Sequence, residues 1–251
     1  MRLLIVLLCT LITHVQAADK ISREMEISEL DDGVYLHTSF KFVEEWGLVG
    51  SNGLVVMLDQ DAYIIDTPWS ADDTETLVNW IADQGFDLKG SLSTHWHDDR
   101  TEGVAFLNAR SIPTYASELT NELLAQNDKV LASQVFEETE YWWVPGQIGA
   151  FYFGGGHTID NLVVWLPGSN ILVGGCLIRS LGSKNLGYTG EALIEAWSDT
   201  VEEVQSRFPG AKIVVPGHGA VGDPGLLAHT RMLAARAAGN ILPLNDETST
   251  R

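Results

Sequence analysis

Cysteine is almost missing from this chain. Of 251 residues only Cys9 and Cys176 carry a thiol, and Cys9 falls in a stretch that reads as a leader. After export Cys176 would have no partner within the chain, so no internal disulfide is expected. Positive charge is scarce as well, with 15 Lys and Arg against 34 Asp and Glu, a net of −19. Such a surface repels nucleic acid and anionic lipid, and neither is expected as a partner. Beyond the leader no apolar run is long enough for a membrane span. No serine has a lysine three residues later, and no G-x-S-x-G elbow occurs, so two familiar serine-nucleophile signatures are absent.

The leader itself is short. Met1-Arg2 precedes an apolar run from Leu3 to Ile12, and Val15-Gln16-Ala17 offers small residues where a signal peptidase cuts. This predicts a signal peptide over residues 1–17, cleaved after Ala17, and a periplasmic protein. Lipidation at Cys9 is not expected, because Leu8 before it is bulky. Residues 18–251 are expected to form a single domain, long enough to bury a large core. A lone thiol in an oxidising compartment must be buried or bound to metal. Cys176 ends Asn170-Ile-Leu-Val-Gly-Gly, where a buried strand would meet a glycine turn.

Apolar runs bounded by turn residues predict strands over 33–38, 53–58, 62–66, 91–94, 147–153, 161–166, 171–174 and 212–215. Helices are predicted from Ser70, which caps a segment with Leu77, Trp80 and Ile81 on one face, and over 101–108, 117–126 and 191–207. A last helix follows Asp223-Pro224, and the polar tail over 244–251 is expected to fray. Trp80, Trp165 and Trp197 are expected in the core, and His37 and His229 in structural or surface roles. Two blocks of strands, each followed by helices, predict a four-layer αβ/βα sandwich, an α/β fold of two mainly antiparallel sheets with helices outside.

Most informative is His95-Trp96-His97-Asp98-Asp99. Two imidazoles two residues apart share one side of an extended segment, and a carboxylate two further on reaches the same region. Imidazole and carboxylate are both zinc donors. His157, Cys176 and His218 each follow an apolar run and stand beside glycine. Strand ends from both halves would therefore converge on a groove and build a metal cluster there. Gly217-His-Gly-Ala-Val-Gly222 matches a dinucleotide fingerprint, but too little chain remains for the βαβ unit it needs.

These residues, with Ile65-Asp66-Thr67-Pro68-Trp69, the segment Ser111 to Thr120, Gly156-His157-Thr158, Asp160-Asn161, Gly174-Gly175-Cys176, Asn185-Leu186-Gly187 and Val215-Pro216-Gly217-His218, resemble the metallo-β-lactamases. The similarity is to subclass B1 and its imipenemase-like branch, and it covers nearly the whole mature chain. Many members of the wider superfamily carry a further histidine ligand where Arg100 stands; a guanidinium stays protonated and cannot ligate. The resemblance implies two Zn2+ ions, one on His95, His97 and His157, the other on Asp99, Cys176 and His218, with Arg100 bracing the second.

The activity so implied is hydrolysis of the β-lactam amide of penicillins, cephalosporins and carbapenems by a metal-bridging hydroxide, an antibiotic-resistance function. Asp99 would orient the hydroxide and Asn185 would donate to the oxyanion. Arg179, or the competing Lys184, would bind the substrate carboxylate. Trp46, between two strands, would fold over the substrate, and Trp96 would wall the cleft. Relatives are mostly monomeric, so a monomer is expected. The alternative is an exported metallo-hydrolase of this fold acting on another ester, lactone or thioester. A closed, non-catalytic zinc site would need four protein ligands, and each set here has three.

Overall fold

A computed structural model describes residues 22–239. The predicted leader and the predicted fraying tail both lie outside these residues. Seven strands build a first sheet in sequence order: β1 (Glu26–Asp31), β2 (Val34–Val43), β3 (Gly47–Leu58), β4 (Asp61–Ile65), β5 (Asp87–Leu92), β6 (Thr114–Ser117) and β7 (Gln134–Phe136). Helix α1 (Ala71–Asp83) links β4 to β5. Helices α2 (Asp98–Thr101) and α3 (Val104–Ala109) link β5 to β6, and α4 (Glu118–Gln126) links β6 to β7. The second sheet has β8 (Glu140–Val144), β9 (Ile148–Tyr152), β10 (Leu162–Leu166), β11 (Ile171–Gly175) and β12 (Ile213–Pro216), in reverse order. Helix α5 (Ile194–Arg207) precedes β12, and α6 (Gly225–Ala237) follows it.

Residue alternation sorts the side chains into layers. Leu54 and Val56 of β3, with Ile65 and Leu92, face Leu162 and Val164 of β10, with Val173 and Val215, and this apolar seam joins the two sheets. Their intervening neighbours face outward. Val55 and Ile64 pack under Leu77 and Ile81 of α1, while Val163, Leu172 and Val214 pack under Trp197 and Val201 of α5 and Leu226 of α6. Each sheet is thus covered on both faces, which is the four-layer αβ/βα order that the strand and helix blocks predicted.

Local chemistry starts the helices where expected. Ser70 caps α1 by accepting from Asp73 N at 3.0 Å, and Ser117 caps α4 by accepting from Thr120 N at 3.1 Å. Asp223 Oδ1 accepts from Gly225 N at 2.7 Å just before α6. Trp197 is fully buried and donates to the Leu177 carbonyl at 2.7 Å, while Trp80 and Trp165 pack at core margins.

Several expectations need correction. The first sheet is antiparallel only through β4; from β4 to β7 every pairing is parallel. Helical crossovers connect those strands, and a crossover returns the chain in the same direction. Strands β1, β6, β7 and β8 are absent from the prediction; β1, β7 and β8 line sheet edges, where few side chains are buried, and β6 has only four residues. The helix over 101–108 divides into α2 and α3, and α5 begins at Ile194, leaving Glu191 in the preceding loop.

Candidate active site

All the proposed metal ligands lie just past the ends of strands that open on one edge of the sandwich. His95 follows β5, His157 follows β9, Cys176 follows β11 and His218 follows β12. The histidine string does not continue as a strand through Asp99, contrary to the expected alternation. His97 is the cap residue of α2 (φ −67°, ψ 153°), and Asp98–Thr101 is helical. That turn carries the Asp99 carboxylate to Cys176, with Oδ2 3.4 Å from Cys176 Sγ and 3.2 Å from His218 Nε2.

Two donor groups result. One nitrogen from each of His95, His97 and His157 lies within 4.8 Å of the others, and so do donor atoms of His95, Asp99 and Cys176. His218 Nε2 completes the second group, 3.3 Å from Cys176 Sγ. His95, common to both sets, places them side by side. Its two ring nitrogens and His157 Nδ1 have no hydrogen-bond partner among the described residues, although all are buried. Unpaired buried polar atoms are costly. Four imidazole donors, a carboxylate and a thiolate form a set that zinc satisfies, so the residues fit the cofactor.

The electrostatics agree. Burial pushes His95 well below its ordinary pKa and takes His157 to about 3, and neighbouring imidazoles add to the effect. Both rings are neutral at pH 7, the form that offers a lone pair. Burial, the largest single influence, opposes ionisation of Asp99, but the Arg100 guanidinium together with His218 and His95 outweighs it and holds the carboxyl well below its ordinary range. His218 moves the other way. Burial lowers it, yet the charges of Cys176 and Asp99 raise it to about 10, so a metal arriving there displaces a proton.

Arg100 organises the second group. It is fully buried and donates to Asp99 Oδ2 at 2.8 Å, Cys176 Sγ at 3.3 Å, Asp66 Oδ2 at 3.3 Å and the Gly217 carbonyl at 2.8 Å, as well as to the Asn52 carbonyl. Asp66, in a left-handed conformation (φ 60°) that side chains seldom adopt, also accepts from Thr94 N at 2.7 Å. Gly217 is glycine for space: a Cβ there would lie 2.5 Å from Cys176 Sγ and 2.9 Å from the Arg100 guanidinium. The matched dinucleotide fingerprint is therefore a turn that presents His218 beside the thiol.

Above the two groups opens a cleft of about 880 Å³. Trp46 sits in the turn between β2 and β3, is 49% exposed and lines the cleft, as does Trp96. Arg179 also lines it and has no ion-pair partner among the described residues. Lys184 is exposed and not part of the lining. Asn185 is not in the lining either; its Oδ1 accepts from Gly187 N at 3.0 Å, a turn-forming role. That bond engages only the amide oxygen and leaves Nδ2, the donor an oxyanion contact would use, without a hydrogen-bond partner among the described residues. His37 and His229 contact the carbonyls of Asp66 and Ser183 and join neither cluster.

Sequence reasoning passed over Tyr188, Glu191, Lys129 and Trp69, which also line the cleft. Only Trp69, inside the quoted Ile65–Trp69 motif, had a local signal. The others reach the cleft through loop closure, which leaves no periodic trace.

Buried histidines next to an Asp–Cys–His set, at the open edge of an αβ/βα sandwich, define a metal-dependent hydrolase. Relatives bear this out. The chain is 48% identical over 230 residues to a metallo-β-lactamase type 2 of Pseudomonas aeruginosa, covering 92% of each. It is 35% identical over 236 residues to a protein of the same name from Bacteroides fragilis, covering 92% of this chain and 94% of that one. Among solved structures, the DIM-1 metallo-β-lactamase exposed to ceftazidime superposes with a TM-score of 0.85 at 53% identity, over 86% of this chain and 99% of that one. No protein-family model matches the sequence. The chain belongs to the metallo-β-lactamases, class B enzymes of subclass B1.

Proposed function

We propose that this chain is a periplasmic, monomeric, single-domain enzyme that hydrolyses penicillins, cephalosporins and carbapenems with two Zn2+ ions. His95, His97 and His157 would hold one ion, and Asp99, Cys176 and His218 the other. The observation that carries this reading is the pair of adjoining donor groups, with buried imidazole nitrogens left unpaired, at the floor of one cleft. Each set supplies three ligands, which leaves room for chemistry. When bound, zinc supplies Lewis acidity and makes hydroxide available at neutral pH.

The chain's own residues do the rest. Arg100 occupies Asp99 Oδ2, and Oδ1, without a partner among the described residues, is free to accept a proton-bearing donor from the attacking water. Arg179, partly buried in the cleft wall, takes the substrate carboxylate, and a guanidinium can do so through two parallel hydrogen bonds. Exposed Lys184 is not needed for that contact. Trp46 covers the apolar part of the substrate and excludes water from it, where burial of an indole contributes most. Asn185 shapes the loop that carries Gly187 against Arg179; a Cβ on Gly187 would lie 2.9 Å from that guanidinium.

The test is hydrolysis of a carbapenem by the purified chain. Turnover that a chelator abolishes and zinc restores is expected. Turnover indifferent to chelation, or activity confined to esters and thioesters, would overturn the reading.

A further inference from the structure

Glu191 stands three residues before α5, in the loop that closes over the histidine cluster. Its Oε2 lies 2.6 Å from His97 Nε2. The other nitrogen of that ring, Nδ1, faces His157 Nε2 at 3.0 Å. The two nitrogens of an imidazole point in widely divergent directions, so Glu191 sits behind the ring relative to the cluster. It is not a further donor, and neither donor group includes it.

A neutral imidazole has one proton, and a carboxylate can only accept. Glu191 therefore favours the proton on Nε2 and leaves the lone pair on Nδ1, toward His157. His218 follows the same logic with a different partner. Its Nδ1 meets the Gly50 carbonyl at 2.8 Å, and its Nε2 meets Cys176 and Asp99. His95 and His157 have no such partner among the described residues. Of the three-histidine group, only His97 has a carboxylate or carbonyl acceptor behind it among the described residues.

Tyr188 is a neighbour of Glu191 and of His97. Tyr188 leans back over Gly190, where a Cβ would meet its hydroxyl at 2.5 Å, and its ring lies 5.9 Å from that of His97. The negative charge of Glu191 raises the Tyr188 hydroxyl above its ordinary pKa, which marks the two groups as neighbours. The Glu191 side chain is 42% exposed and that of His97 is 16% exposed, so this contact lies at the cleft rim, where a bond to a charged acceptor persists but water competes.

We propose that Glu191 is a positioning residue that fixes the tautomer and ring orientation of His97, and so presets the three-histidine group for zinc. The inference rests on the reading of His95, His97 and His157 as zinc ligands. Carboxylates placed behind a ligating histidine typically strengthen metal binding about 10–100-fold.

Two readouts on isotope-labelled protein test it. In metal-free protein at mildly alkaline pH, long-range proton–nitrogen spectra of His97 should show the Nε2–H form in wild type. Glu191→Ala should shift His97 toward a mixture, and Glu191→Gln, whose amide oxygen still accepts, should restore the wild-type pattern. Zinc titration against a chromophoric chelator should show weaker binding by about 10–100-fold in Glu191→Ala and a much smaller loss in Glu191→Gln. Wild-type tautomer and affinity in Glu191→Ala would overturn the proposal, as would failure of Glu191→Gln to restore the tautomer. If zinc left the His97 resonances of wild type unmoved, the ligand reading would fail instead, while the metal-free tautomer would still decide the role of Glu191.

Discussion

Replacing Arg100 with methionine keeps an unbranched apolar stem and deletes every donor. The guanidinium serves Asp99, Asp66, Cys176 and two backbone carbonyls with no exposure to solvent. Removing one partner of a buried ion pair costs about 3–5 kcal/mol, and each orphaned buried carbonyl about 1–3 kcal/mol. These costs overlap, because the network relaxes as a unit. Asp66, which burial raises to about 6 even against the pull of Arg100, would take up a proton and shed most of its share. The loss then centres on Asp99 and the carbonyls, about 4–6 kcal/mol, a large part of the roughly 5–15 kcal/mol that a domain possesses. Urea unfolding of metal-free protein would measure it as a lower midpoint with an unchanged slope. Zinc should shrink the deficit, since a cation on Asp99 replaces the lost counter-charge. Arg100→Lys should fall between, with three donors for five contacts. A loss below about 1 kcal/mol in the metal-free protein, set against the cost of breaking a buried pair, would refute the reasoning.

Cys176→Ser should lower zinc stoichiometry by one ion rather than two, read by metal analysis after dialysis; equal loss of both would break the two-site scheme. Arg179→Ala should raise KM for a carboxylate-bearing substrate by about tenfold or more, the worth of a charge-assisted pair, while Lys184→Ala leaves steady-state constants near wild type. Asn185→Ala should lower stability by about 0.5–1 kcal/mol through the lost turn bond and change kcat little; a hundredfold fall in kcat would return it to an oxyanion role. His37 is buried and neutral, its pKa brought down to about 3 chiefly by burial. The unfolded chain takes up that proton below about 6.5 and the folded chain only near 3, so the stabilisation is whole above 6.5 and is lost as pH falls. The slope from this group approaches about 1.4 kcal/mol per pH unit, and His37→Gln should flatten it in urea midpoints measured across that window.

What could be read from the sequence was local or periodic. Ser70 and Ser117 announce their helices because a hydroxyl three residues before a free amide is sufficient. The apolar runs before Cys176 and His218 announce strand ends because their two-sided burial leaves no polar interruption. Asp99 was assigned to the metal for the wrong geometric reason. Alternation assumed a strand, whereas a helical turn aims the carboxylate at Cys176. Edge strands such as β1, Glu-Ile-Ser-Glu-Leu-Asp, hide because little of them is buried: four of these six residues are exposed. Asn185 and Glu191 depend on the path of a single loop. Whether Asn185 turns to Gly187 or to the cleft, and whether Glu191 meets a histidine 94 positions earlier, is set by tertiary closure and not by neighbours in sequence.

Anomalous diffraction at the zinc edge, from crystals grown with excess zinc, locates the metal directly. Two peaks are expected, one enclosed by His95, His97 and His157 and the other by Asp99, Cys176 and His218. A Cys176 thiol with no metal beside it, or zinc found only outside the cleft, would contradict the two-site scheme.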